Sequence, residues 1–246
     1  MKASTFEFRF RIWIMFVVIL VGFLAPWTSY LHLGTRTTAW LWLGYELGAL
    51  GISSTAGILT ITVLTIVVAA LAAAIRIWGT AYLGTSVVHN AEMKAIQIMA
   101  DGPYRHVRNP LYIGSWLMIA AISVLMPASG AAFTMVLLSI FLLRLILGEE
   151  AFLTAKLGEP YLAYKRAVPR LIPSLWARVD ASGQSPNWGR AFIGEVTPIG
   201  IFVSFAALSW QYNSFLLSRA VLISFGLSLV VRALIPPAPG AQPSAL

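Results

Sequence analysis

An all-α integral membrane protein is the fold class this sequence predicts, and three observations predict it. Hydrophobic residues make up 59% of the 246 and charged residues 11%, against roughly 45–50% and about 25% in soluble chains. The mean hydropathy is +0.80, so water is not the solvent for most of the surface. Long apolar runs alternate with polar stretches, and because a bilayer crossing takes roughly 20 apolar residues, the chain has room for about six transmembrane helices.

The runs follow in order. Residues 12–31 form the first, with Pro26 near its far end and Arg9 and Arg11 before it. It is long enough to span and lacks a small-x-small cleavage site, so it reads as a retained helix. Residues 32–54 are rich in Gly and Trp, and Trp40, Trp42 and Tyr45 suit an interface belt or a short re-entrant helix. Residues 55–75 are apolar throughout and stop at Arg76. A polar stretch, 76–112, precedes two short spans at 113–126 and 131–147, which form a hairpin around Pro127 and Gly130. A second polar stretch runs from 148 to about 190, and spans at 192–210 and 215–235 precede a Pro/Ala tail. Three regions result: N-terminal helices at 1–75, a central region at 76–190 containing the hairpin, and a C-terminal pair with its tail at 191–246.

Charge sets the orientation and narrows the function. Of the seventeen Lys and Arg, only Arg36 and Arg219 fall on the side away from the termini. Positive-inside asymmetry therefore puts both termini and both polar stretches in the cytoplasm, where any site must be assembled. The net charge of +8 comes without a long basic run, so it implies cationic loops against an anionic leaflet and no nucleic acid. With no cysteine, disulfides, thiol catalysis and Cys-ligated metals are excluded, and no metal site is expected.

Three constellations carry polar chemistry. The first is Gly102-Pro103-Tyr104-Arg105-His106-Val107-Arg108-Asn109-Pro110-Leu111-Tyr112-Ile113-Gly114. Gly-Pro and Asn-Pro force turns, so donors and aromatic rings are held off-helix, ready for an anionic or aromatic ligand or for a plain interfacial anchor. The second is Gly148-Glu149-Glu150, adjacent carboxylates at a membrane boundary, where desolvation and repulsion disfavour them. They suit either a binding role or a helix that continues into water. The third is Leu157-Gly158-Glu159-Pro160-Tyr161-Leu162-Ala163-Tyr164-Lys165-Arg166-Ala167-Val168-Pro169, ending at Leu171-Ile172-Pro173, with Tyr161, Tyr164 and Val168 on one helical face.

The order and spacing of these three resemble the isoprenylcysteine carboxyl methyltransferase family and its phospholipid N-methyltransferase relatives. The likeness runs from about Leu71 to Pro173 and includes Leu83-Gly84-Thr85-Ser86-Val87-Val88-His89-Asn90. It implies a cytosolic-face pocket for S-adenosylmethionine built from the two polar segments. Carried over by position, the cofactor residues are His89 (usually Gln in the family), Ile96, Gln97, Ile98, Met99, Tyr104, Asn109 (usually His), Pro110, Leu111, Tyr112 and Glu149. The family's substrate-orienting Arg is matched by Arg144, one residue off a position that holds Leu145, with Arg166 as the alternative. A carboxylate acceptor needs orientation and no general base, whereas an amine must lose a proton, for which Glu150 or a water would serve.

The resemblance thus implies methyl transfer to a lipophilic small-molecule or prenylated acceptor, with a carboxylate first and a phospholipid amine second. A membrane NADPH reductase with an Asn-Pro-x-Tyr step, and a transporter or scaffold, are the competing classes. Glu-Glu followed by Tyr-x-x-Tyr-Lys-Arg argues against the former. The charge-poor spans argue against the latter.

Overall fold

The computed structural model describes residues 2–32, 34–83 and 100–234, and these are helical without a strand. A capping box between Ser4 and Glu7 opens α1 (Thr5–Arg9). It is followed by α2 (Arg11–Leu24) and α3 (Trp27–Tyr30). The break between these two falls where Ala25 is left-handed and Pro26 follows. Next come α4 (Ala39–Ala49) and α5 (Ser54–Leu83). A 3₁₀ turn (Gly102–Arg105) leads to α6 (Pro110–Ser123), which starts on Pro110 because proline needs no donor partner in a first turn. Beyond it lie α7 (Ala128–Leu157), α8 (Glu159–Ala167), α9 (Trp188–Gly194), α10 (Val196–Leu208) and α11 (Ser214–Leu234).

Among the described residues, four helices are long and apolar enough to cross a membrane: Arg11–Tyr30, Ser54–Leu83, Ala128–Leu157 and Ser214–Val231. The bent pair α9–α10 makes a fifth if taken as one span. The sequence count of about six included α6, which at 14 residues is about 21 Å long. That is short of the roughly 30 Å hydrocarbon core.

The shortfall has a structural answer in α4. The Ala39 and Trp40 N–H groups, unpaired at the start of α4, donate to the carbonyls of Met126 (2.7 Å) and Val124 (2.9 Å) just beyond the end of α6. Orphan donors of one helix thus meet orphan acceptors of another, in a setting where each unpaired group is costly. Both pieces lie along α5. On α4, Gly44 sits against Gly57 and Ile58, and no Cβ fits between them. On α6, Leu111 faces Gly79. The segment read as a belt or re-entrant helix is thus a helix packed on α5, with its first turn bonded to the end of α6.

Three boundaries differ from the sequence reading. First, α5 runs through Arg76 to Leu83, because Arg76 has a buried partner (below) and need not reach water. Second, α7 continues to Leu157, so Glu149 and Glu150 lie inside a helix and avoid its unfavourable C-terminal dipole. Third, the expected span at 192–210 is bent by 69° at Glu195, where Pro198 removes a helical donor and crowds the Gly194 carbonyl. The core is apolar, with Trp40, Met126, Ile201, Phe205 and Leu217 buried together, and α10 joins α11 to the face of α5.

Candidate active site

At the end of the bundle where α5 finishes and α6 begins, the two polar segments are laced together. Residues 168–187 form a strap across the 101–109 turn. Arg108 N–H donates to the Pro169 carbonyl, Ser174 N–H to that of His106 and Arg178 N–H to that of Arg105, each at 2.9 Å. Arg105 Nε donates to the Val179 carbonyl at 2.9 Å. The strap's far end is pinned by Asp101, which accepts from the Ser182 hydroxyl and from the Gly183 (3.2 Å) and Gln184 (3.1 Å) N–H groups. Burial alone would raise the Asp101 carboxyl, but these hydrogen bonds outweigh it and hold it below its ordinary value.

Glu149 and Glu150, adjacent on α7, face different partners. Glu149 accepts from the Tyr112 hydroxyl at 2.9 Å, which ties α6 to α7. Glu150 is buried and is the hub of a cationic cluster. Its oxygens accept from Asn109 Nδ2 (3.2 Å) and from Arg170 Nε and Nη2 (3.0–3.2 Å). Arg108 Nη2 at 3.5 Å and Lys165 Nζ at 4.0 Å complete the set. The repulsion expected of the pair is therefore offset by cations gathered on one of its members.

Beside these carboxylates, three buried atoms have no hydrogen-bond partner among the described residues: the Tyr104 hydroxyl and Nε and Nη1 of Arg108. Most buried polar groups in folded proteins are satisfied, so these are the donors here with capacity for a further partner. Burial, and after it the charge of Glu149, pushes the Tyr104 phenol well above its ordinary value and keeps it a neutral donor. The turn is rigid behind them, with the Tyr164 hydroxyl donating to the Tyr104 carbonyl at 2.8 Å.

Comparison with known proteins bears on this segment. Residues 52–159 match the family model described as phospholipid methyltransferase. A methanethiol S-methyltransferase of Crocosphaera subtropica is 40% identical over 70 residues, which is 28% of this chain and 27% of that protein. No solved structure matches. This segment is thus similar to membrane methyltransferases, and the chain spans about a quarter of the length of the relative it matches.

Within the matched segment the structure brings Tyr104, Asn109, Pro110, Leu111, Tyr112, Glu149 and Glu150 to one end of the bundle. His89, Ile96, Gln97, Ile98 and Met99 lie outside the described residues. Two cations proposed for the acceptor are engaged elsewhere. Arg144 forms a bidentate pair with Glu7 of α1, Nε at 3.0 Å and Nη2 at 2.9 Å, and Arg166 is exposed and paired with Glu159. Among the described residues no group of three or more His, Cys, Asp or Glu gathers as a metal would need.

Sequence reasoning overlooked Arg108 and Arg170 as partners of Glu150, and it overlooked the buried pair behind α6. Arg76 donates from Nε (2.7 Å) and Nη2 (3.0 Å) to Glu195, which also accepts from Thr80 at 2.6 Å. Arg76 Nη1 reaches Ser115 (2.7 Å) and the Leu111 carbonyl (3.4 Å), so the pair touches the first turns of α6. The signal was present: a lone charge at the end of one apolar run and another at the start of a later one call for each other.

Proposed function

We propose that this protein is a membrane methyltransferase that uses S-adenosylmethionine and methylates a lipophilic acceptor that reaches the site from the bilayer, on the cytoplasmic face. The catalytic region is 76–190, preceded by the N-terminal helices of 1–75 and followed by the C-terminal pair and tail of 191–246. The observation that carries this reading is the set of buried donors without a partner among the described residues, on Tyr104 and on Arg108, close to the Glu149–Glu150 pair. Those residue types fit the donor molecule. The Arg108 guanidinium and Tyr104 hydroxyl suit its carboxylate, and Glu149 suits its ammonium or ribose hydroxyls. Bound there, S-adenosylmethionine supplies an electrophilic methyl group on a sulfonium that becomes neutral on transfer. The chain's own part is alignment and exclusion of water, the work for which a rigid turn under a strap is suited.

The acceptor has three readings. A prenylated carboxylate would be oriented by Arg144, which would first have to leave Glu7. A thiol reacts as its thiolate, so its proton must pass to water, but it needs no cation clamp; the engagement of Arg144 together with the methanethiol S-methyltransferase relative favours it. An amine acceptor would need a base, and Glu150 already accepts from Asn109 and Arg170. The test is equilibrium binding of S-adenosylmethionine, S-adenosylhomocysteine and NADPH to the purified protein. Mass spectrometry with methyl-labelled donor and three acceptors then follows: a prenylcysteine, an alkyl thiol and phosphatidylethanolamine. Saturable binding of the first two ligands and label in one acceptor are expected. Binding of NADPH alone would overturn the assignment.

A further inference from the structure

Among the described residues of the polar segments, the strap that laces the site also carries the most exposed apolar side chains. Ile172, Leu175 and Trp176 are 83%, 89% and 79% exposed. They sit in a short stretch closed by Pro169 and Pro173 and flanked by cations: Arg166 and Arg178 are exposed and Arg170 half-buried. Large apolar groups left in the open, rimmed by charge, mark an interaction surface.

The strap's height in the molecule names the partner. Its backbone is bonded to His106 and Arg105, a few residues before Pro110 starts α6. The His106 ring lies 6.1 Å from Trp78 of α5, and its Nδ1 is 2.9 Å from the Ser174 carbonyl. Asn187 N–H binds the Ala81 carbonyl at 2.8 Å, which places the partly exposed Trp188 at the end of α5 as well. Trp78, Trp176 and Trp188 therefore mark one level, where apolar helix gives way to polar chain. Tryptophan favours that boundary of a bilayer, and cations beside it favour anionic headgroups.

We propose that residues 169–178 form a lipid-binding surface. Ile172, Leu175 and Trp176 seat at the headgroup–acyl boundary of the leaflet next to the site, and Arg166 and Arg178 face its anionic phosphates. The segment is thus polar in composition but not fully in water. Because Arg170 holds Glu150, and its carbonyl accepts from Asn109 Nδ2 at 3.2 Å, a seated strap also fixes the turn that bears the candidate site. This inference stands on placement and charge and is independent of the reaction.

The chain has no cysteine, so a single L175C carries one environment-sensitive fluorophore without further changes, and D180C serves as the water-facing control. The full-length protein is reconstituted in phosphatidylcholine vesicles with or without phosphatidylglycerol. The Leu175 probe should be shielded from aqueous iodide and quenched by lipids spin-labelled near the top of the acyl chain, more so with phosphatidylglycerol. The Asp180 probe should show the reverse. I172C provides an equivalent label if L175C does not fold. Iodide quenching equal to that of the control overturns the proposal. Shielding from both quenchers overturns it in favour of a protein contact, and lipid quenching indifferent to phosphatidylglycerol overturns the anionic preference.

Discussion

Removing the carboxylate of Glu195 tests whether the C-terminal helices are fastened to α5 by a buried pair. Glu195 is 1% exposed and Arg76 13%. Glu195→Ala leaves the guanidinium without its bidentate partner and Thr80 without its acceptor. Breaking a buried pair by removing one member costs about 3–5 kcal/mol. Arg76 keeps Ser115 and the Leu111 carbonyl through Nη1, so the lower end, about 3 kcal/mol, is expected by the same principle. For a chain of this size that amounts to a fall of about 6–12 °C in Tm. The assay is thermal unfolding in detergent of the parent, Glu195→Ala, and the double variant Arg76→Met with Glu195→Leu. Because apolar replacement of a whole buried pair is often neutral, the double variant should recover most of the loss. A single variant within about 1 kcal/mol of the parent would contradict the penalty assigned to an unpaired buried charge. So would a double variant no more stable than the single one.

Four further outcomes are expected. Glu149→Gln should weaken S-adenosylmethionine binding by about 1.5–3 kcal/mol, the worth of a hydrogen bond to a charged group; equal affinity in isothermal titration removes Glu149 from the site. Arg144→Lys should leave turnover near normal if Arg144 only clamps α1, whereas loss of most activity with S-adenosylmethionine binding intact restores it as the acceptor's fork, since a point charge cannot copy a bidentate guanidinium. Hydrogen bonds from Arg144, and after them from the Ser4 N–H, hold the Glu7 carboxyl at about 2 against its usual 4.5. A depressed folded value stabilises docked α1 fully above the unfolded pKa, and that contribution is lost as pH falls from 4.5 toward 2. Amide exchange in α1, corrected for its intrinsic pH dependence, should rise through that window, and a flat profile refutes the clamp. Membrane-impermeant labelling of D180C and T37C should occur from opposite sides, and labelling from one side overturns the orientation.

The legible parts of this structure are those whose cause is local. Continuous apolar runs are required by lipid at every position, so the long helices could be read directly. The Asn109-Pro110 step announces the start of α6, because proline shapes both its own residue and the one before. The rest depends on partners distant in the chain. Arg76 looks like the end of a span until Glu195, 119 residues on, is brought beside it. Arg144 looks free to orient a substrate until Glu7, 137 residues earlier, takes two of its three guanidinium nitrogens. Glu149 and Glu150 are indistinguishable in sequence. Only the side on which Asn109 and Arg170 approach makes one a hub and leaves the other for Tyr112.

The meeting of α4 and α6 is made by backbone groups. No peptide bond links the two helices directly, and the Ala39 and Trp40 amides hold them together on the carbonyls of Met126 and Val124. Every residue but proline carries the same donor, so the junction tolerates a change of either side chain provided that the packing of α4 and α6 on α5 is kept.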